Sequence, residues 1–284
     1  MGHPEQQLEV AEAGRAEKVL AHQLGLSRRV LAEWLRGGRI RRNGALLRKG
    51  DRLEAGDALA LRLDGPIGGW VIPAAPPLPV LARGDGWIAI DKPAGMPSHP
   101  SMPFEGNCGL NHIAAHAPLA SQCGADPLQG GLVHRLDNDT SGILLAATEP
   151  STWQTLRALF SAQDVQRIYR ARVQPVDAEY PVGEGMIEQR LSARGARVVV
   201  DDAGRATRTR WRSLDDHGLL ELELLTGHRH QIRVHLAAMG WPVVGDPLYG
   251  GAQAARLLLH ACRLRFGDQE TISTPPDPLR SPGM

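Results

Sequence analysis

The 284-residue sequence has few cysteines and lacks a long apolar run. Its three cysteines, Cys108, Cys123 and Cys262, are odd in number and form no Cys-x-x-Cys pair, which argues against a disulfide framework or a zinc knuckle. No apolar run approaches the roughly 18 residues that a membrane-spanning helix needs. The N-terminus has neither the basic start nor the apolar middle of a signal peptide. We therefore expect a cytoplasmic protein without a membrane partner.

The sequence also lacks a strong net charge, because 32 Lys and Arg oppose 31 Asp and Glu. Their distribution is uneven. Residues 15–52 contain eleven Lys or Arg and three Asp or Glu, a local charge of +8. A basic run often forms no more than a solvated helix face, but an asymmetry of this size favours a basic module attached to a mildly acidic body.

Hydrophobic spacing and turn residues predict a chain of two folded domains, a linker and two tails. The linker is rich in Pro and Gly, which favours a semi-rigid connection. The predicted segments are a flexible tail over 1–14, a compact basic domain over 15–63, the linker over 64–80, a larger domain over 81–267 and a flexible tail over 268–284.

The compact basic domain is predicted to contain two helices followed by a short antiparallel sheet. Gly25 ends the first helix, Ser27 is a suitable N-cap for the second, and Asn43-Gly44 is a strong hairpin signal. The stretch LGLSRRVLAEWLRGGRIRRNGALLRKGDRLEAGDAL resembles the S4-type RNA-binding domain. In that family the helix pair and the turn bind the RNA backbone. The matching basic positions are Arg28, Arg29, Arg36, Arg39, Arg41 and Arg42.

The larger domain is predicted to be α+β with a mainly antiparallel mixed sheet, because strand-like segments outnumber helices and mostly follow one another. Two helices are expected, over 151–163 and 228–240. The segment 167–173, RIYRARV, alternates as a strand does.

One polar cluster interrupts two apolar runs, GLVHRL and GILLAAT, that are typical of strands. The residues alone leave two explanations open. Asp137 or Asp139 acts on a ligand as a nucleophile, general base or metal ligand. Alternatively, residues 138–141 bond nearby backbone amides and form a polar turn.

Ordered blocks of this sequence resemble the RluA-type pseudouridine synthases. The stretch GLVHRLDNDTSGILLAAT is similar to the family signature, and further blocks match in the expected order: DKPAGMPSH, RIYRARV, LLTGHRHQIRVHLAAMGWPVVGDPLYG and LLLHACRLRF. The resemblance implies the fold of that family and the isomerisation of uridine in RNA. It implies large-subunit ribosomal RNA as the target, with transfer RNA as the alternative, and neither a metal nor an organic cofactor. We expect a monomer.

The resemblance also implies roles for individual residues. Asp137 is the catalytic nucleophile, and Arg135 fills the space left when the target base leaves the RNA stack. Tyr169 stacks on the uracil and has a part in proton removal, while Arg233 pairs with the catalytic carboxylate. Asp139 is assigned to the turn. The RNA-binding residues implied in this domain are His134, Arg135 and His230.

One block departs from the family pattern. The family usually has Gly-Arg-Thr-His or Gly-Lys-Thr-His before Gln-Ile-Arg, whereas this chain has GHRHQIR. An RNA or backbone contact is therefore placed in doubt. The histidines of this block also raise a rival hypothesis, a metal site formed by His228, His230 and His235.

Two other classes of protein compete with a pseudouridine synthase. The first is a non-catalytic RNA-binding factor, against which the presence of Asp137, Tyr169 and Arg233 argues. The second is a glycosidase, which would need a second acid at the site.

Overall fold

The computed structural model describes residues 5–65, 68–176, 178–276 and 279. The chain divides into two compact units. The N-terminal unit comprises Met1–Pro77 and His99–Gly131, and the sheet unit comprises Leu78–Ser98 and Leu132–Met284. Parts of the predicted tails and linker lie outside the described residues, namely 1–4, 66, 67, 277, 278 and 280–284.

The N-terminal unit contains a small antiparallel sheet, a strand pair and α-helices. Its elements are β1 (Glu5–Glu9), β2 (Gly14–Arg15), α1 (Ala16–Leu24), α2 (Arg28–Arg36), β3 (Ile40–Arg42), β4 (Ala45–Leu46), β5 (Arg52–Leu53), β6 (Ala58–Arg62) and α3 (Gly109–His116). A 3-10 helix, Pro118–Gln122, follows α3. In the described part of this unit the sheet order is β1-β6-β3-β4, and β2 pairs with β5.

The predicted helix pair and hairpin are confirmed. Gly25 ends α1 in the left-handed region at φ 66°, and the Ser27 hydroxyl accepts a hydrogen bond from the Val30 N–H at 3.3 Å. Asn43 and Gly44 both have positive φ between β3 and β4, as a tight hairpin turn requires.

The prediction of a flexible N-terminal tail is wrong for residues 5–10. Strand β1 pairs antiparallel with β6 over five positions, and Val10 is buried in the unit core. The sequence EQQLE is polar because this strand lies at the sheet edge and its side chains alternate between exposed and half-buried.

The predicted linker also contributes to the core of the N-terminal unit. Trp70 is buried, with its ring centroid 5.8 Å from Trp34 and 5.6 Å from Phe104. Residues 99–131, which the sequence assigned to the larger domain, group with this unit. Sequence reasoning treated proline as a sign of an unpacked tether, whereas a tryptophan within the same stretch is packed.

The sheet unit contains long strands and two α-helices among its described residues. Its elements are β7 (Val80–Gly84), β8 (Trp87–Lys92), β9 (Ser141–Ala147), α4 (Pro150–Ala162), β10 (Gln166–Arg172), β11 (Glu184–Arg194), β12 (Arg197–Val200), β13 (Arg205–Ser213), β14 (Leu219–Leu224), α5 (Gln231–Ala238), β15 (Leu259–Phe266) and β16 (Gln269–Ile272). The described strands form one ten-stranded sheet in the order β12-β11-β13-β14-β10-β15-β9-β8-β7, with β16 on β15.

The sheet is mixed and mainly antiparallel, so the α+β prediction is confirmed. Within the described residues, β9 and β15 are the parallel pair. Gly142 permits this pairing, because its φ is +113° and a Cβ there would overlap the Ala261 carbonyl. The close approach fixes the start of β9, and the loop that precedes β9 carries Asp137.

Three predicted boundaries in the sheet unit are wrong. The C-terminal tail contains β16, which pairs with β15 and leaves Ser273 buried. Helix α5 begins at Gln231 rather than 228, because His230 has a positive φ of 55°. The run GLVHRL is not a strand and forms one isolated bridge, from Leu132 to Ala146. In the part of the chain that is described, no helix has the length and apolar character to span a membrane.

Candidate active site

Asp137 lies on the loop that leads into β9, and His134 shapes the start of that loop. The His134 Nε2 accepts a hydrogen bond from the Leu145 N–H at 3.1 Å. In a regular sheet, a backbone carbonyl of a neighbouring strand would accept this bond. The His134 ring stacks on Phe160 with centroids 5.2 Å apart. Burial lowers the pKa of His134 to about 3, so the ring is neutral and can accept this bond. The contacts give His134 a positioning role, and its contact with RNA stays a prediction.

Two side chains from residues 92–98 hold the backbone of the loop. Lys92 is fully buried, and its Nζ donates to the Asn138 carbonyl at 3.0 Å and to two carbonyls within 93–96. Ser98 Oγ donates to the Leu136 carbonyl at 2.8 Å and accepts from the Leu136 N–H at 3.0 Å. The residues on either side of Asp137 are thereby fixed, which orients its carboxylate.

A buried polar network lies where the loop enters β9. Ser141 Oγ accepts from Arg256 Nη2 at 2.6 Å and lies 2.8 Å from His260 Nδ1. The other ring nitrogen of His260 lies 3.0 Å from Ser273 Oγ. Burial lowers the pKa of His260 to about 4. The imidazole is therefore neutral at pH 7 and ties the loop to β15 and to the segment after β16.

Arg233 of α5 is buried between two carboxylates. Its Nε and Nη2 donate to the two Asp246 oxygens, both at 2.7 Å. Its Nη1 lies 3.6 Å from Asp137 Oδ2. Burial alone would lower the pKa of Arg233, but the adjacent Asp246 and Asp137 carboxylates hold it above its ordinary value. The predicted Asp137 contact is present, while Asp246, which the sequence placed in a structural turn, is the closer partner.

Tyr249 links α5 to the segment that carries Asp246. Its hydroxyl lies 2.8 Å from His230 Nδ1 and accepts from the Val198 N–H at 2.9 Å. The Arg233 guanidinium lies 5.1 Å from the Tyr249 ring centroid. Burial lowers the pKa of His230. The tyrosine therefore helps to set the positions of both His230 and Arg233.

Tyr169 is buried in the middle of β10, opposite Leu222 of β14 and Ala261 of β15. Burial raises the pKa of its phenol to about 12, and Asp137 contributes in the same direction. At neutral pH the side chain is therefore a neutral phenol that can stack on a ring and donate a hydrogen bond.

A cavity of about 890 Å³ brings the predicted residues together. It is lined by His134, Arg135, Asp137, Tyr169, His230 and Arg233. Six of the described lining residues are arginines. Asp137 is the one described lining residue with a carboxylate. Such a basic cavity suits a polyanion such as RNA. It lacks the paired carboxylates that glycoside hydrolysis requires.

The rival metal site is not assembled. His235 is bound on both sides within the core, with Nε2 2.7 Å from Thr207 Oγ1 and Nδ1 2.9 Å from Thr209 Oγ1. His230 contacts Tyr249 instead. Nowhere in the described ranges do three or more His, Cys, Asp or Glu side chains form a group that could hold a metal ion.

The departure from the family pattern at GHRHQIR has a local explanation. Arg229 Nη2 donates to the carbonyls of Gly195 and Arg197 at 2.8 and 2.9 Å, at the turn between β11 and β12. The His228 N–H donates to Gln231 Oε1 at 3.2 Å. Both residues line the cavity, and Arg229 also supports its wall.

The basic positions of the predicted S4-like domain lie in the N-terminal unit and fall into two groups. Arg28, Arg29 and Arg36 are exposed on α2. The other three are half-buried: Arg39 pairs with Asp64, Arg42 pairs with Asp57, and Arg41 donates to the Gly44 carbonyl. The exposed group presents its charge at the surface, and within it Arg29 also donates to the Ser101 carbonyl at 3.2 Å and lies 3.9 Å from Glu33. The second group is held by contacts within the N-terminal unit.

Sequence reasoning missed the residues that support Asp137 from behind. Lys92 and Ser98 lie in the matched block DKPAGMPSH, and Asp246 lies in GDPLYG. A Lys that directly follows the apolar run of a predicted strand, and an Asp that directly follows Gly245, are sequence signals of polar side chains with buried partners. Arg256 and His260 carried no such signal.

The comparisons with known proteins agree with this geometry. Residues 86–238 match the family described as RNA pseudouridylate synthase. The chain is 33% identical over 233 residues to ribosomal large subunit pseudouridine synthase D of Pseudomonas aeruginosa, covering 79% of this chain and 70% of the relative. The protein of the same name from Xanthomonas campestris is 35% identical over 229 residues, covering 80% and 68%. Human RNA pseudouridylate synthase domain containing 1 shares the fold, with a TM-score of 0.56 and 21% identity over 72% of this chain and 85% of that one.

Proposed function

The chain belongs to the RNA pseudouridylate synthase family, whose members are isomerases, and from that premise we propose that it converts uridines of large-subunit ribosomal RNA to pseudouridine with Asp137 as the nucleophile. The choice of RNA is supported by the names of the relatives in Pseudomonas aeruginosa and Xanthomonas campestris. Those names give no support to transfer RNA, the alternative target.

One observation carries the proposal. Asp137, Tyr169 and Arg233 come from a loop, a central strand and a helix that are far apart in the sequence, yet all three line one basic cavity. A carboxylate, an aromatic ring and a guanidinium are the groups that the isomerisation needs. A polar turn of purely structural purpose would not require the other two.

The reaction needs no external oxidant, reductant or co-reactant. The N1–C1′ bond of the uridine breaks, the uracil ring turns, and a C5–C1′ bond forms. The C5 proton leaves to solvent, and N1 gains a proton. The Asp137 carboxylate assists bond breaking, either by adding to C1′ or uracil C6 or by promoting a glycal.

Arg135 and Tyr169 prepare the substrate for this chemistry. A base within an RNA stack cannot reach a cavity, so the uridine must be flipped out, at a cost of a few kcal/mol. Exposed Arg135 lies two residues before Asp137 and can occupy the vacated space. The neutral phenol of Tyr169 packs against the uracil and donates a hydrogen bond, and its raised pKa disfavours a phenolate base.

The N-terminal unit is proposed to act as an S4-like RNA-binding module. Its helix pair and Asn-Gly turn match the predicted pattern, and the exposed arginines of α2 supply positive charge. Guanidinium groups bind phosphates bidentately. The module would position the RNA without contributing to the chemistry.

Pseudouridine mapping tests the choice of target. Total RNA from a strain lacking the gene is compared with RNA from its parent and from a complemented strain. The proposal predicts the loss of one or more pseudouridines in large-subunit ribosomal RNA and their return on complementation. Loss confined to transfer RNA, or no loss at all, would contradict it.

A further inference from the structure

A second buried arginine, Arg167, lies beside the proposed base-binding residue. Arg167 and Tyr169 are two positions apart on β10, so their side chains point to the same side of the sheet. Both line the reaction cavity. Arg167 is 8% exposed, nearly as buried as Tyr169 at 7%.

Unlike Arg233, Arg167 has no carboxylate within ion-pair distance in the part of the chain that the structure describes. Its Nε is buried without a hydrogen-bond partner. Across the described residues, its guanidinium makes no hydrogen bond and no ion pair. Arg233 in the same cavity has the Asp246 carboxylate at 2.7 Å. A buried cation without a partner is costly and is uncommon in a core, which points to a ligand that supplies the missing charge.

The surroundings of Arg167 hold the guanidinium in place without neutralising it. Its Cζ lies 5.9 Å from the Phe160 ring centroid. Gly227 adjoins the guanidinium, and a Cβ at that position would lie 2.6 Å from the Arg167 Nη1. Glycine at 227 therefore leaves room for the guanidinium at the cavity wall.

We propose that Arg167 binds a phosphodiester group of the substrate RNA inside the cavity, at or next to the flipped uridine. This proposal rests on the proposed function, because it takes RNA as the ligand. A phosphate supplies the missing full negative charge and accepts two parallel N–H donors from a guanidinium. The neutral carbonyls of uracil would leave the buried charge uncompensated. Arg167 is therefore assigned to substrate positioning, with no part in bond breaking.

The test measures equilibrium binding of a short RNA hairpin with uridines in its loop, over a series of salt concentrations. Each phosphate contact contributes about 0.7 to 0.9 to the slope of log K against log salt. Arg167→Met should weaken binding about 10- to 100-fold and reduce the magnitude of the slope by nearly one. Arg167→Lys should keep the slope while binding less tightly. Arg265 is exposed and does not line the cavity. Arg265→Met is therefore the control and should change neither the affinity for the hairpin nor the salt slope.

Two further variants keep the test decisive. Gly227→Ala retains Arg167 but displaces its guanidinium from the cavity wall, so it should weaken binding and reduce the salt slope in the same direction as Arg167→Met. The melting temperature of Arg167→Met should equal or exceed that of the wild type, because an unpaired buried charge has been removed. An Arg167 with a purely structural role would instead lower the melting temperature.

Each result has one interpretation. Weaker binding with an unchanged salt slope in Arg167→Met would overturn the phosphate assignment, and so would unchanged binding. A wild-type protein that binds the hairpin but releases no tritium from RNA labelled at uridine C5 would contradict the proposed function. The salt-slope comparison would still decide whether Arg167 contacts a phosphate.

Discussion

Arg233 binds Asp246 through two parallel hydrogen bonds of 2.7 Å and thereby presents its remaining nitrogen to Asp137 at 3.6 Å. Asp246 is fully buried, and its Oδ1 also accepts from the N–H groups of Leu248 and Tyr249. The closer partner of the arginine is therefore a buried carboxylate that is not part of the cavity lining. Arg233 makes only the longer contact with Asp137, 3.6 Å to Oδ2, and leaves the other oxygen of that carboxylate uncovered.

The first prediction is that Asp246→Asn lowers the single-turnover rate about 100-fold or more while changing RNA affinity little. Without its main partner, Arg233 should move toward Asp137 and form a tighter pair, which would weaken the proposed nucleophile. Removing one partner of a buried ion pair also costs about 3–5 kcal/mol of unfolding free energy. Asp246→Glu, which keeps the charge, should recover part of the rate.

A matched variant separates this positioning role from stability alone. Asp215 pairs with Arg172 at 2.8 Å outside the cavity. Asp215→Asn should therefore lower stability without a comparable loss of rate. If both variants lose the same rate for the same loss of stability, the positioning role of Asp246 is wrong.

The second prediction concerns Lys92 under alkaline conditions. Burial lowers its pKa from 10.5 to about 8, so between these values the unfolded chain holds a proton that the folded protein has released. The wild-type free energy of unfolding should then rise with pH between 8 and 10, by up to about 1.4 kcal/mol per pH unit, relative to Lys92→Met. Denaturant titrations across this range measure the difference. A difference that is constant with pH would show that Lys92 keeps its ordinary pKa.

The third prediction concerns the buried histidines under acidic conditions. Burial lowers the pKa of His235 to about 4, as it does for His260. The unfolded chain therefore binds protons first as the pH falls below 6.5. Stability should be fully present above pH 6.5 and decline toward pH 4, by about 1.4 kcal/mol per pH unit for each histidine. His235→Asn should be less stable at pH 7 but should lose stability more gradually on acidification, and an equally steep decline would contradict the assignment.

The fourth prediction concerns the exposed arginines of the N-terminal unit. Deleting residues 1–63 would disrupt a core that includes Trp70 and Phe104, so substitutions are the better test. Replacing Arg28, Arg29 and Arg36 together by Gln should weaken binding to large-subunit ribosomal RNA and reduce its salt slope by about two to three. The same changes at exposed Arg210, Arg212 and Arg265 form the control. An unchanged slope in the first triple variant would mean that the basic face is only a solvated surface.

The sequence predicted the elements whose signals are local, and missed those that depend on distant contacts. Ser27 capped α2 and Asn43-Gly44 formed the hairpin because a cap and a turn depend on adjacent residues. The run GLVHRL resembled a strand. It does not continue as one, because the Leu145 N–H donates to the His134 ring instead of to a backbone carbonyl. The polar strand β1 lacked an apolar pattern because it lies at an edge, so its pairing with β6 could not be predicted from its own residues.

The same distinction applies to the site. Asp137, Tyr169 and Arg233 were each found through a motif, and the structure places all three at one cavity. Motif matching could not show that Asp246 is the principal partner of Arg233, or that Arg167 has no charged partner among the described residues. Both facts depend on segments brought together by the fold.

The most direct test of the central claim compares two neighbouring aspartates. Asp137 lines the cavity, whereas Asp139, two residues later, is exposed on the adjacent turn. Tritium release from ribosomal RNA labelled at uridine C5 is measured for Asp137→Asn and Asp139→Asn, with RNA binding and melting temperature as controls for folding. We predict that Asp137→Asn binds RNA and releases no tritium, while Asp139→Asn releases it at nearly the wild-type rate. Appreciable release by a folded Asp137→Asn protein would contradict the account.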